Sequence, residues 1–186
     1  MARGILIFGS SGSGKTTLGR LVAEKLGYPY FDLDDYIWRK DTERPFLVMY
    51  SREEKISRLM EAISKDDHFV MAGSMDSFNA PFVPLFDLAV YMTASTEVRI
   101  ARAHKRELEH YGERILEGGD MYEEHQRFLA SSARYDTDGA PCARVHEEWA
   151  KSLPCEVIRI NGEEKLDCNV RRVVEAYNVV KKSNKQ

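Results

Sequence analysis

Gly9-Ser10-Ser11-Gly12-Ser13-Gly14-Lys15-Thr16-Thr17 is the stretch on which the reading of this chain turns. It follows the unbroken apolar run Ile5-Leu6-Ile7-Phe8, the signature of a strand covered on both faces in a parallel sheet. It precedes Leu18, Leu21, Val22 and Leu26 at helical spacing, which Gly27 and Pro29 bring to a stop. Strand, glycine-rich turn and helix in that order make G-x-x-x-x-G-K-[ST] a phosphate-gripping loop rather than a chance turn. Glycines let the backbone fold back so that successive N–H groups converge on an anion, and the N-terminus of the helix adds its positive end. Lys15 supplies a mobile cation for the outer phosphates, and the Thr16 hydroxyl can ligate Mg2+. Gly9, Ser10, Ser11, Gly12, Ser13, Gly14, Lys15, Thr16 and Thr17 are therefore the expected nucleotide-binding residues.

Outward from the loop the pattern repeats. Tyr28 to Leu33 reads as a second strand ending in acids, His68 to Gly73 as a third, Leu88 to Met92 as a fourth and Glu156 to Ile160 as a fifth. Ser51 and Glu54 form a capping-box pattern ahead of Ile56, Leu59, Met60 and Ile63 on one helical face. Val170, Val173, Val174 and Tyr177 mark a closing helix. Alternation of strand and helix predicts an α/β fold, a three-layer sandwich around a five-stranded parallel sheet with a lid. The 186 residues suit a single domain spanning 1–186. Within it, the stretch of about 35–66, irregular from about Asp35 to Ser51, is expected to bind the acceptor. The stretch of about 107–154, helical over Met121 to Ala133, is expected to form the lid.

Composition narrows the class. A formal net charge of -3 gives no basic field for nucleic acid or an anionic membrane. No apolar run approaches the roughly 20 residues of a membrane span, and the chain enters its first strand without a signal-peptide pattern. Cys142, Cys155 and Cys168 are odd in number and lack C-x-x-C spacing, which reads as buried thiols in a reducing cytoplasm. His104, His110, His125 and His146 show no metal-ligand spacing. A monomer is expected.

Asp32, Asp34 and Asp35 follow the second strand, whose carboxyl end is expected at the crevice that holds the phosphates. Carboxylates there can hold Mg2+ through water or take a proton from an attacking hydroxyl. The loop, the Phe31-Asp32-Leu33-Asp34 ending and the five-strand layout together resemble the shikimate and gluconate kinase branch of small P-loop kinases. Adenylate kinases are more distant relatives. The resemblance implies that Asp32, with Thr16, serves Mg2+ and that Asp34 contacts the substrate hydroxyl.

Arg99, Arg102 and Arg106 are spaced to share one face of the helix opening at Ser95-Thr96-Glu97. In kinases of that branch a lid brings arginines over the transferring phosphoryl group. Arg106, Arg114 and Arg127 resemble those positions, and Arg102 resembles the residue that opens the lid segment. Lys15, Asp34, Arg106, Arg114 and Arg127 make up the expected catalytic set. For the acceptor the resemblance points to Asp34, Gly73, and either Arg44 or Arg52. The triple glycine of shikimate kinases is here Ala72-Gly73-Ser74-Met75, a departure that weighs against shikimate itself. Tyr36, Trp38, Phe46 and Tyr50 either pack or line an acceptor pocket.

The expected activity is an ATP- and Mg2+-dependent transfer of a phosphoryl group to a small molecule. The alternatives are a nucleoside or nucleoside-monophosphate kinase, and an ATP-binding regulator or nucleic-acid-associated protein. The guanine-reading N-K-x-D stretch is absent, and the net acidity disfavours nucleic acid.

Overall fold

The computed structural model describes residues 2–42 and 46–183. Its sheet has five strands in the order β2-β3-β1-β4-β5. They are β1 (Arg3–Gly9), β2 (Tyr30–Asp32), β3 (His68–Ala72), β4 (Phe86–Thr93) and β5 (Glu156–Asn161). All four pairings are parallel, so every strand delivers its carboxyl end to the same edge of the sheet. Tyr28 and Pro29, expected in the second strand, lie outside β2. The helices are α1 (Lys15–Leu26), α2 (Asp34–Ile37), α3 (Arg52–Ile63), α4 (Thr96–Tyr111), α5 (Tyr122–Ala133), α6 (Ala143–Ser152) and α7 (Leu166–Ser183). Among the described residues, none is long and apolar enough to cross a membrane.

The apolar run of β1 is divided between the two faces by the strand's period of two. Leu6 and Phe8 join Leu59, Ile63, Met71, Ala89, Tyr91 and Ala150 in one core, facing α3 and α6. Ile5 and Ile7 join Leu18, Val22, Val70, Val90, Val173 and Tyr177 in the other, facing α1 and α7. Both faces of β1 are thereby removed from water, which anchors the loop that follows it.

The caps follow the sequence. Gly27 closes α1 at φ 68°. Ser51 Oγ accepts from the Glu54 N–H at 3.2 Å, while the Ser51 N–H donates to Glu54 Oε2 at 2.7 Å, completing the capping box of α3. The stretch expected as a lid divides in two. Helix α5 lies on α4, tied by a chain in which His125 sits 2.6 Å from Glu107 Oε2 and 2.8 Å from His104. Helix α6 instead sends Ala150 and Trp149 into the main core, and His146 stands 2.8 Å from the Tyr135 hydroxyl, itself 2.9 Å from that of Tyr91.

Two expectations are corrected. Of the three free cysteines only Cys142 is buried; Cys168 is exposed in the first turn of α7. Arg99 does not share an open face with Arg102 and Arg106. It is fully buried and donates to the carbonyls of Ala94 and Ser132, to Thr96 Oγ1 and to Asp136 Oδ2. A desolvated guanidinium needs this many acceptors, and Asp136, in the turn that follows α5, completes the set.

Candidate active site

The site begins where β1 ends. Gly12 holds φ 75°, and a Cβ there would stand 2.2 Å from the Arg99 carbonyl oxygen, so the loop is wedged against the start of α4. Gly14 caps α1 without a side-chain hydrogen bond, and no acid lies in the first turn. The positive end of the helix and its free N–H groups are therefore left for an external anion. The hydroxyls of Ser10 and Ser13 are buried and lack a hydrogen-bond partner among the described residues. Orphaned polar atoms at such a place fit a ligand rich in acceptor oxygens.

Lys15 folds back over this cradle, its ammonium donating to the Ser10 carbonyl at 2.7 Å. Desolvation lowers its pKa from 10.5 to about 8; Asp34 and Asp32 oppose the fall and Arg106 adds to it. In the free protein Lys15 is thus a cation below pH 8 and loses its proton above it. A bound triphosphate restores the proton. Mg-ATP affinity is expected to hold level up to about pH 8 and to weaken beyond it, with proton uptake on binding at pH 9 and little at pH 7. Calorimetry in two buffers of different ionisation enthalpy measures this. The linkage sign for stability is opposite. The unfolded chain keeps the Lys15 proton up to about 10.5, so this group's contribution to apo stability rises between pH 8 and 10.5.

The acids enter from β2. Asp32 Oδ1 accepts the Asp34 N–H at 3.2 Å, which starts α2 and turns Asp34 into the crevice. Asp32 Oδ2 is 3.4 Å from the Tyr30 hydroxyl, which also interacts with Thr16. Burial, then the Asp32 charge, raises the Tyr30 pKa, so its hydroxyl stays protonated. Thr16 and Asp32 thus meet around one phenol. Their hydroxyl and carboxylate are the hard oxygen donors that Mg2+ takes alongside substrate phosphates, and the pair fits that ion. Asp34 has its pKa raised, first by desolvation of its carboxyl and then by Asp32, with Lys15 and Arg106 pulling the other way.

The predicted residues separate accordingly. Lys15, Asp32, Asp34 and Arg106 act on one another electrostatically at the mouth of the loop. Arg114 is held bidentately by Asp120 at 2.9 and 2.8 Å, and Arg127 lies 3.8 Å from Glu124; neither is among the groups acting on Lys15 or Asp34. Arg52 donates to the Ser77 carbonyl at 2.9 Å. Gly73 backs onto Leu33, whose Cβ would lie 2.7 Å from a Cβ at Gly73. Arg44 lies outside the described residues. Arg102 reaches the Gly162 carbonyl at 3.0 Å, and that turn abuts the loop at Ser13.

A cavity of about 350 Å³ opens beside Asp34, walled by Trp38 and Phe46 from the β2–α3 connection and by His110 and Tyr111 from the end of α4. Tyr111 went unread in the sequence and His110 was read only for its lack of metal-ligand spacing, although His110 stands one helical turn beyond Arg106 and shares its side of α4.

Comparison with known proteins agrees with this architecture. The uncharacterized protein YqaC of Bacillus subtilis (strain 168) is 28% identical over 181 residues, 94% of this chain and 97% of its own. A shikimate kinase of Psychrobacter arcticus is 27% identical over 111 residues, a match covering 54% of this chain and 59% of that kinase. Among solved structures, a gluconokinase from Sinorhizobium meliloti 1021 superposes with a TM-score of 0.58 at 16% identity, covering 98% of this chain and 95% of that one. The fold is the kinase-like P-loop fold, resembling the shikimate and gluconate kinase branch. A family model described as an AAA domain matches residues 5–126, with the phosphate loop and both acids inside the match, and the chain belongs to that family, AAA_18.

Proposed function

We propose that the protein is a phosphotransferase that moves the γ-phosphoryl group of ATP to a hydroxyl of a small molecule. The observation that carries this reading is the electrostatic knot of Lys15, Asp34 and Arg106 at the mouth of an anion cradle with orphaned serine hydroxyls. Loop amides and Lys15 would neutralise the phosphates, and Arg106 would face the charge that spreads over the equatorial oxygens during transfer. The base would rest by Arg102 and the Asn161-Gly162 turn. Thr16 and Asp32 would hold Mg2+, which when bound screens the charge on the outer phosphates. The acceptor hydroxyl gives its proton to Asp34 while its oxygen bonds to the γ-phosphorus. The bond from that phosphorus to the bridging oxygen breaks, and ADP leaves with the electron pair.

In this reading residues 1–186 form one catalytic domain, with the stretch of about 35–66 receiving the acceptor and that of about 107–154 carrying the lid. Excluding water matters because water competes as acceptor. ADP release with Mg-ATP alone, then with sugars, polyol acids, nucleosides and nucleoside monophosphates in turn, tests the proposal. Slow release alone and at least about tenfold faster release with one acceptor is the expected result. Release that no acceptor accelerates removes the phosphotransferase reading.

A further inference from the structure

The cavity beside Asp34 has walls that discriminate among acceptors. Trp38 and Phe46 meet edge to face, ring centroids 5.6 Å apart at 85°, and so form a right-angled apolar corner. Tyr111 and His110, themselves edge to face at 4.7 Å, close the cavity from α4. The corner is held open to solvent rather than packed away. Phe46 is 51% exposed and keeps a left-handed φ of 55°, and Leu47, Val48 and Met49 beside it are exposed too. An exposed aromatic corner facing a carboxylate is a place for a flat ring that carries a hydroxyl.

Charge argues the same way. The cations that line the cavity are already engaged: Arg39 is bidentate with Asp41 at 3.0 and 2.6 Å, and Lys40 is 2.8 Å from Asp35. With Asp34, the carboxylates of Asp34, Asp35 and Asp41 stand against the two cations that line the cavity. Arg58 lies over the Tyr50 ring at 4.3 Å, and Arg52 is spent on the Ser77 carbonyl. Among the described residues the cations that line the cavity are thus both paired, and Arg106, beside Asp34, is in the reading above turned to the transferring phosphoryl group rather than to a charge on the acceptor. A polyol acid would bring its negative charge against Asp34 and Asp35 with no aromatic contact to offset it. The volume of about 350 Å³ lies at the small end of ligand pockets, enough for one ring system and its sugar.

We infer that the acceptor is an uncharged nucleoside, its base against Trp38, Phe46 and Tyr111 and its sugar hydroxyl at Asp34. This rests on the phosphotransferase reading above. The same step applies: the sugar O–H loses its proton to Asp34, its oxygen takes the γ-phosphoryl group, and a nucleoside monophosphate and ADP result.

The test is ADP release with adenosine, guanosine, cytidine and thymidine, each set against its monophosphate and against shikimate and gluconate. One nucleoside should accelerate release at a lower KM than its own monophosphate, and both acids should be inert. Trp38→Ala should raise that KM about tenfold with a much smaller change in kcat, since the ring contacts hold substrate and transition state alike. Trp38→Phe, which keeps a ring, should recover most of the loss. Should Trp38→Ala fail to fold, Tyr111→Ala on the opposite wall carries the same expectation. Acceleration by shikimate or gluconate, a monophosphate preferred over its nucleoside, or a nucleoside KM indifferent to the wall variants overturns the inference and leaves the kinase reading standing. Silence with every acceptor removes both.

Discussion

Lys15→Ala is expected to give a folded protein whose kcat/KM for phosphoryl transfer falls by about 10³-fold or more. The ammonium is the only side-chain cation that belongs to the loop itself, and it reaches from α1 back to the Ser10 carbonyl across the cradle. Removing it exposes the outer phosphates to the charge of Asp34 and Asp32, and groups aimed at transferring phosphoryl oxygens are typically worth about 10² to 10³ each. Stability should move the other way. Because desolvation already holds the Lys15 pKa down, the apo fold bears a cost for that charge at neutral pH, and the variant should melt no lower than the parent. Steady-state kinetics and a thermal melt of the same preparation check both halves. A variant that keeps its turnover, or that unfolds, would sink the assignment.

Asp34→Asn is expected to keep Mg-ATP binding within a fewfold and to lose about 10² to 10⁴ in kcat, the usual range for removing a general base. The amide matches the carboxylate in size and can still orient a hydroxyl, but it cannot take a proton. In the parent, the rate should fall on acidification through a midpoint above the ordinary aspartate range, since desolvation and Asp32 raise the Asp34 pKa. The variant should lose that acidic limb. A second effect is diagnostic because the two groups are coupled. Asp34 raises the Lys15 pKa, so its neutralisation lets Lys15 titrate at lower pH, and proton uptake on Mg-ATP binding should begin below pH 8. A pH–rate profile and two-buffer calorimetry read the two effects separately. Unaltered turnover would remove Asp34 from the chemistry.

What was legible in the sequence was local. An apolar run, a glycine-rich turn and a helical period sit within twenty-odd residues, and each is a statement about neighbours in the chain. The same holds for the Ser51–Glu54 cap and for the strands that carry the acids. Arg99 failed for the opposite reason. Helical spacing correctly gave its angle on α4, but its partner Asp136 is 37 residues away and its other acceptors are backbone carbonyls, which no side-chain pattern announces. Helix α6 was absorbed into the expected lid because the direction its apolar side faces depends on where the chain returns, and it returns to the main core. The Asp34 cavity brings together parts of the chain more than sixty residues apart, Trp38 and Phe46 on one side and His110 and Tyr111 on the other. Each segment alone reads as a few aromatics on a surface.

Helix α4 touches everything that matters here. Its first turn is clamped by Arg99 and pressed on Gly12, Arg106 stands near Lys15 and Asp34, and Tyr111 ends in the aromatic cavity. It therefore works as a ruler fixed at its nucleotide end, with about 18 Å between Arg99 and Tyr111 at 1.5 Å per residue. On the proposed reading, substitutions at its far end would retune which acceptor is admitted and leave the nucleotide loop untouched. A single inserted residue midway would instead rotate everything beyond it by about 100° and put the two stations out of phase. If the proposed transfer is the activity, acceptor preference in this architecture is free to drift by side chain but not by length.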